Sequence, residues 1–382
     1  MKILISSDIN EYQLSGATHS VYALTEELRR LGHEVKLLLL STDGKSHRDG
    51  DSYYIASLPI PVYPTARFSL KTHDKLIKEL IEWRPDIVHV QSEFTSRFLA
   101  NAVIKALNIP YVITCHALYQ DYTKYFCPSK KLAKKIIKWQ SHVCYDNSKT
   151  LIVPSKKLKI VEESYGIKCP IRIIPTGINL KKYQKKLSKK EKMKLLSDLG
   201  LPDSNKYMVT ISRLAYEKNI DEILKYMPAL LKKDKDIKFI IVGDGPYRNK
   251  LEKMVKKLGL QNNVIFTGAV PFDDVYKYYQ LGNVFVCAST SETQGLTYVE
   301  ALASGMPMVC KKDPCLEGVL TNGRNGYIFE NENEFVNGIL KIIGDKALAS
   351  KMGKFSFERS NNFGLKEFGK EVEKVYKKVL GV

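Results

Sequence analysis

Short apolar runs recur along the whole 382-residue chain, each closing in a small polar loop before helical periodicity sets in, and that alternation leaves few folds open. Residues 1–6, 34–40, 86–90, 111–115, 151–154 and 171–174 are such runs in the first half, and 208–212, 239–242, 264–267, 284–287 and 308–310 in the second. Runs that are apolar at nearly every position, rather than at alternate ones, suit strands covered on both faces, as in a parallel sheet flanked by helices. Helices are expected over 21–31, 76–83, 96–107 and 364–380, and a turn and strand over 323–329. The class is therefore α/β. A chain this long exceeds one ordinary core and suits two domains of about 150–200 residues each. The break Pro175-Thr176-Gly177-Ile178-Asn179 is expected to be the turn between them, dividing 1–177 from 178–363. Residues 59–64 are expected to form a loop, and the lysine run 181–194 a solvated helix.

The richest chemistry lies in 284–307, VFVCASTSETQGLTYVEALASGMP, which reads as a strand, a polar loop and a helix opening after Gly295. Ligands of parallel α/β sheets sit beyond the carboxyl ends of the strands, where a helix N-terminus presents unpaired N–H groups. The amides of Gly295, Leu296 and Thr297 would suit a phosphate. Glu292 and Glu300 stand eight positions apart on either side of that anion site. Two carboxylates there suit a phosphate that carries hydroxylated groups, since an ionised carboxylate accepts hydrogen bonds from hydroxyls. Taken singly, either could be a solvated residue on a capped helix.

Composition narrows the function. Hydrophobic residues make up 44% of the chain, as in globular proteins, and no run approaches the ~18 apolar residues of a membrane span. The N-terminus, MKILISSDIN, reads as a strand rather than a signal peptide, so a cytoplasmic location is expected. The seven cysteines are scattered in mostly apolar contexts, as reduced core residues would be, and no metal-ligand spacing is present. The formal net charge is +19, with lysine far outnumbering arginine. That could serve nucleic-acid binding, but there is no RNP-type aromatic motif, zinc knuckle or arginine-rich tract, so no nucleic-acid partner is expected.

Further motifs agree with the 284–307 segment. Gly16-Ala17 follows the first strand, His116 follows the strand YVITC, and Arg213-Leu214-Ala215-Tyr216-Glu217-Lys218 follows MVTIS. Gly243-Asp244-Gly245-Pro246 follows FIIV, and Gly268-Ala269-Val270-Pro271 follows the next strand. Together with the E-x7-E pair and the Pro175/Gly177/Ile178 turn, these resemble the GT-B glycosyltransferases of the family-4 kind over nearly the whole chain. Thr114, His116, Tyr119, Asp121 and Tyr122 resemble in particular a pattern of the bacterial diacylglycerol glucosyltransferases.

The resemblance implies two Rossmann-like domains facing a central cleft, with the terminal helix, about 364–382, rejoining the first. It implies that Glu292 and His116 face the donor sugar and Glu300 the nucleotide ribose, with Arg213 and Lys218 on the donor diphosphate. Gly16 would approach the phosphates and Val270 the base. The implied activity is metal-independent, retaining transfer of a hexose without a cofactor. UDP-glucose is the commonest donor of the subgroup, and the acceptor would be a membrane lipid such as diacylglycerol. A polysaccharide, teichoic-acid or undecaprenyl-linked glycan is the alternative acceptor.

One segment speaks to the membrane directly. In SKKLAKKIIKWQSHVC, residues 129–144, a helix places Leu132, Ala133, Ile136, Ile137, Trp139 and Val143 on one arc. Lys130, Lys131, Lys134, Lys135 and Lys138 fall opposite, with no acidic residue between. Such a helix either packs its apolar arc into its own domain or lies in an anionic bilayer surface. The second reading would make the protein peripheral on the inner face of the cell membrane.

Overall fold

The computed structural model describes residues 1–8, 16–60, 63–118, 129–203 and 206–382. They form two compact units, Met1–Gly177 with Leu365–Val382, and Ile178–Gly364.

In the first unit the strands are β1 (Lys2–Ser6), β2 (Glu34–Leu40), β3 (His47–Asp49), β4 (Ser52–Ile55), β5 (Leu58–Ile60), β6 (Tyr63–Phe68), β7 (Ile87–Val90), β8 (Tyr111–Thr114), β9 (Leu151–Val153) and β10 (Ile171–Ile173). The helices are α1 (Gly16–Arg30), α2 (Lys75–Trp83), α3 (Thr95–Leu107), α4 (Lys130–Tyr145) and α5 (Lys156–Tyr165), joined by the last helix of the chain, α14 (Leu365–Leu380). The sheet order is β10-β9-β8-β7-β1-β2-β4-β3, parallel except for the β3–β4 pair. Alternate residues feed two cores. Leu4, Leu38, Val88 and Ile113 pack on the face of α2 and α3, while Ile3, Ile5, Leu37 and Val112 pack with Val21, Leu24, Phe368, Val372 and Tyr376 of α1 and α14. The residues on both faces are fully or almost fully buried, which is why these strands read as continuous apolar runs.

The second unit contains β11 (Tyr207–Ile211), β12 (Lys238–Val242), β13 (Val264–Gly268), β14 (Val284–Cys287), β15 (Met308–Lys311) and β16 (Gly326–Phe329), all parallel in the order β13-β12-β11-β14-β15-β16. Its helices are α6 (Leu180–Gln184), α7 (Lys189–Asp198), α8 (Ile220–Leu231), α9 (Arg248–Lys257), α10 (Val275–Tyr279), α11 (Leu296–Ala303), α12 (Glu332–Gly344) and α13 (Lys346–Ser360). Each sheet reverses its winding once, between β1 and β7 in one unit and between β11 and β14 in the other. Crevices at such reversals are where doubly wound folds bind ligands.

Several local expectations are corrected. The first helix opens at Gly16, five residues before the apolar stripe that signalled it. Residues 58–60 and 63–68 pair as the antiparallel strands β5 and β6 where 59–64 was expected to be a loop; Pro59 is tolerated because a two-stranded ribbon leaves backbone donors unused. The lysine run is two helices: Ser188 and Glu191 form a capping box that starts α7 afresh, and Tyr183 and Leu196 are buried.

Candidate active site

In the second unit, β11 delivers the loop 212–218 and β14 the loop 288–295, on opposite sides of the winding reversal. The two loops are stitched together. Lys218 Nζ donates to Glu292 Oε1 at 2.6 Å, Asn219 Nδ2 donates to the Ala288 carbonyl at 3.3 Å, and the Ser291 hydroxyl donates to the Glu217 carbonyl at 3.2 Å. Burial alone would depress the Lys218 pKa, but the charge and hydrogen bond of Glu292 outweigh it and hold the ammonium above its ordinary value. The pair is therefore a fixed cation beside a fixed carboxylate.

Glycine is obligatory at two positions here. Gly295 has φ +73°, and a Cβ on it would meet the Tyr298 ring at 2.4 Å. Gly243, with φ +129°, lies against the Ser212 carbonyl, where a Cβ would sit at 2.0 Å. The Gly-Asp-Gly-Pro turn thus holds the Arg213 loop in place, through Leu214 N–H to the Asp244 carbonyl at 2.9 Å and Tyr247 N–H to the Leu214 carbonyl at 2.9 Å. Leu296 and Thr297 open α11 half-buried.

Glu300, one turn further on, is buried, and both of its oxygens accept tyrosine hydroxyls, from Tyr183 at 2.9 Å and Tyr279 at 2.7 Å. Burial raises its pKa; the two tyrosines and the charge of Lys182 oppose the rise. Two hydroxyls leave lone pairs on the carboxylate for a further donor. Arg213 is exposed and paired with Glu217 at 2.7 Å. Val270 is half-buried after β13, packed on the core that includes Tyr298.

In the first unit the carboxyl edge gathers Asp8 after β1, Gln91 after β7 and His116 after β8. His116 Nε2 donates to Gln91 Oε1 at 2.7 Å, and burial lowers the His116 pKa to about 4. His89, inside β7, is fully buried between Tyr376 and Thr114, whose hydroxyl lies 2.7 Å from its Nε2. The Asp8 carboxyl accepts the Ser96 N–H at 2.6 Å at the start of α3, and burial pushes its pKa up to about 7.

Comparison with known proteins decides what this arrangement belongs to. Residues 14–182 match the family described as "Glycosyltransferase Family 4" and residues 191–359 "Glycosyl transferases group 1". The chain is 32% identical over 385 residues to the alpha-monoglucosyldiacylglycerol synthase of Streptococcus pneumoniae, covering 98% of this chain and 85% of that one. It is also 32% identical to the synthase of the same name from Acholeplasma laidlawii, covering 98% and 96%. The chain belongs to the family-4 glycosyltransferases.

The likeness extends to structure. The Anabaena protein Alr3699/HepE, solved in complex with UDP, superposes with a TM-score of 0.78 at 17% identity, covering 99% of this chain and 100% of that one, which makes the fold GT-B. In this glycosyltransferase the residues expected at the donor phosphates and sugar, Lys218, Glu292 and Gly295, are brought together. Arg213 pairs with Glu217, and Gly16 is an exposed first residue of α1. Tyr119, Asp121 and Tyr122, and the side chain of Lys130, lie outside the described residues. Helix α4 corrects the single apolar arc read from its sequence. Ala133 and Ile137 turn inward with Cys144, whereas Leu132, Ile136, Val143 and Trp139, the last 68% exposed, form an outward stripe. At 100° per residue that stripe lies between the buried face and the exposed arc of Lys131, Lys134, Lys135 and Lys138. Sequence reasoning missed Gln91, Tyr183 and Tyr279. Only Gln91 carried a signal, as a polar residue directly after a buried strand.

Proposed function

We propose that this glycosyltransferase moves glucose from UDP-glucose to diacylglycerol at an anionic membrane surface, with retention and without a metal or cofactor. The observation that carries the reading is the outward apolar stripe of α4 beside four exposed lysines, in a chain whose relatives are named for a glucosyldiacylglycerol product. An exposed stripe of this kind, with a one-signed basic arc and a tryptophan, suits a helix lying in a bilayer interface. Among the described residues no helix is long and apolar enough to cross a membrane, so attachment would be peripheral, on the cytoplasmic face.

In this mechanism Glu300 accepts the ribose hydroxyls, and the amides of Gly295, Leu296 and Thr297 receive the diphosphate. Lys218 and Arg213 stabilise the charge that grows on the diphosphate as the anomeric C–O bond breaks. The acceptor hydroxyl forms the new bond to the anomeric carbon from the face being vacated, and its proton passes to a departing phosphate oxygen. Glu292 and His116 hold sugar hydroxyls. The test is a panel: the purified protein, EDTA, and vesicles of phosphatidylglycerol carrying either diacylglycerol or undecaprenyl phosphate, each with UDP-glucose, UDP-galactose and UDP-N-acetylglucosamine. The proposal requires glucosyl transfer to diacylglycerol without added metal. Transfer confined to undecaprenyl phosphate, or a strict metal requirement, contradicts it.

A further inference from the structure

His116 follows β8 and Gln91 follows the neighbouring β7, paired with it in register from Val88↔Tyr111 to Val90↔Ile113. That pairing sets the two side chains together at the carboxyl edge of the sheet, and the contact is specific in kind. Gln91 is buried, its Oε1 can only accept, and it lies 2.7 Å from His116 Nε2. Its amide nitrogen is fixed from the other side, 3.2 and 3.3 Å from the ring nitrogens of His89. His89 in turn is held by Thr114 and by Tyr376 of α14. With its nitrogen on the His89 side, the amide presents its oxygen to His116.

We propose that Gln91 is a positioning residue: it holds the proton of His116 on Nε2 and so reserves the Nδ1 lone pair for a hydroxyl of the donor sugar. This rests on the placement of His116 beside the sugar. The neutral form is favoured by the surroundings as well. Burial disfavours the imidazolium, the facing His89 is pushed down to about 3 by burial and by His116 itself, and the adjacent Cys115 thiol is pushed well up by burial. An imidazolium would carry a donor at both nitrogens and leave the sugar no acceptor at Nδ1.

The experiment reads the tautomer itself. In full-length protein labelled with ¹⁵N-histidine, His116 is assigned by comparison with His116→Gln and followed in two-bond ¹H–¹⁵N correlations as pH is varied. The wild type should show a neutral Nε2–H ring at pH 7, protonating only near pH 4. Gln91→Glu keeps the accepting oxygen but adds a charge, so protonation should move up by about two pH units or more. Transfer at about pH 5, roughly one unit below the shifted pKa, should fall about tenfold, recover as pH rises to neutral, and leave UDP affinity unchanged. Gln91→Met should give mixed tautomers. An Nδ1–H ring in the wild type, or an unchanged titration in folded Gln91→Glu, overturns the proposal. Because the tautomer is read without any acceptor present, that failure is distinct from a wrong acceptor, which would appear as a correct His116 titration in an enzyme inactive on diacylglycerol.

Discussion

Glu300 shows how a buried carboxylate can be prepared for a ligand. Its two tyrosine hydroxyls fix the carboxylate and offset part of the desolvation that burial imposes. Glu300→Ala should weaken UDP binding by roughly 1–3 kcal/mol, and Tyr183→Phe by about 0.5–1.5 kcal/mol through loosened placement. Calorimetry that finds both variants binding UDP like the wild type would remove Glu300 from the ribose. Lys218 behaves differently, because its partner Glu292 holds it in place before the donor arrives. Lys218→Ala should therefore lower kcat by more than it weakens donor binding, and an unchanged kcat would make the pair structural. Glu292 and Lys218 were legible as motif positions. Their contact was not, since it spans 74 positions and no local pattern reports it. The tyrosines of Glu300 were illegible for the same reason.

At the scale of elements, most strands buried on both faces were legible, because burial on two sides writes an uninterrupted apolar run, but the short β4, whose Tyr53, Tyr54 and Ile55 are buried, was not. The β5–β6 pair was not either, since Leu58 and Phe68, which face each other across it, are exposed and its prolines imitate a loop. Helices α12 and α13 were also unread, although Asn331 and Asp345 cap them in the ordinary way. Helix α4 shows the limit of periodicity. Apolar spacing located the helix, but only packing decides that Ala133 and Ile137 face the unit while Leu132, Ile136, Trp139 and Val143 do not. Each lysine near an anionic surface contributes about 1 kcal/mol. Changing Lys131, Lys134, Lys135 and Lys138 together to Glu should abolish cosedimentation with phosphatidylglycerol vesicles and leave UDP binding intact. Persistent cosedimentation would place membrane attachment elsewhere.

Across the whole molecule, ionisation is divided unevenly. Glu162 on α5 is 3% exposed, and burial followed by the charge of Glu93 raises its pKa to about 8. A carboxyl whose folded pKa exceeds its unfolded value costs nothing while both states are protonated. The cost then grows above about pH 4.5 and is complete only above about pH 8. The first unit should accordingly lose stability over that window. Glu162→Gln should raise Tm by several degrees at pH 9 and by little at pH 4, and an equal gain at both pH values would mean the carboxyl is not ionising in place.

The central claim is retaining glucosyl transfer to a lipid hydroxyl. The measurement that tests it most directly is the anomeric configuration of the product made from ¹³C-labelled UDP-glucose in phosphatidylglycerol vesicles containing diacylglycerol. The account predicts an α-glucosyl diacylglycerol, seen by NMR as an equatorial anomeric proton with a small coupling to H2. A β-linked glycolipid, or free glucose with no labelled lipid, would contradict it.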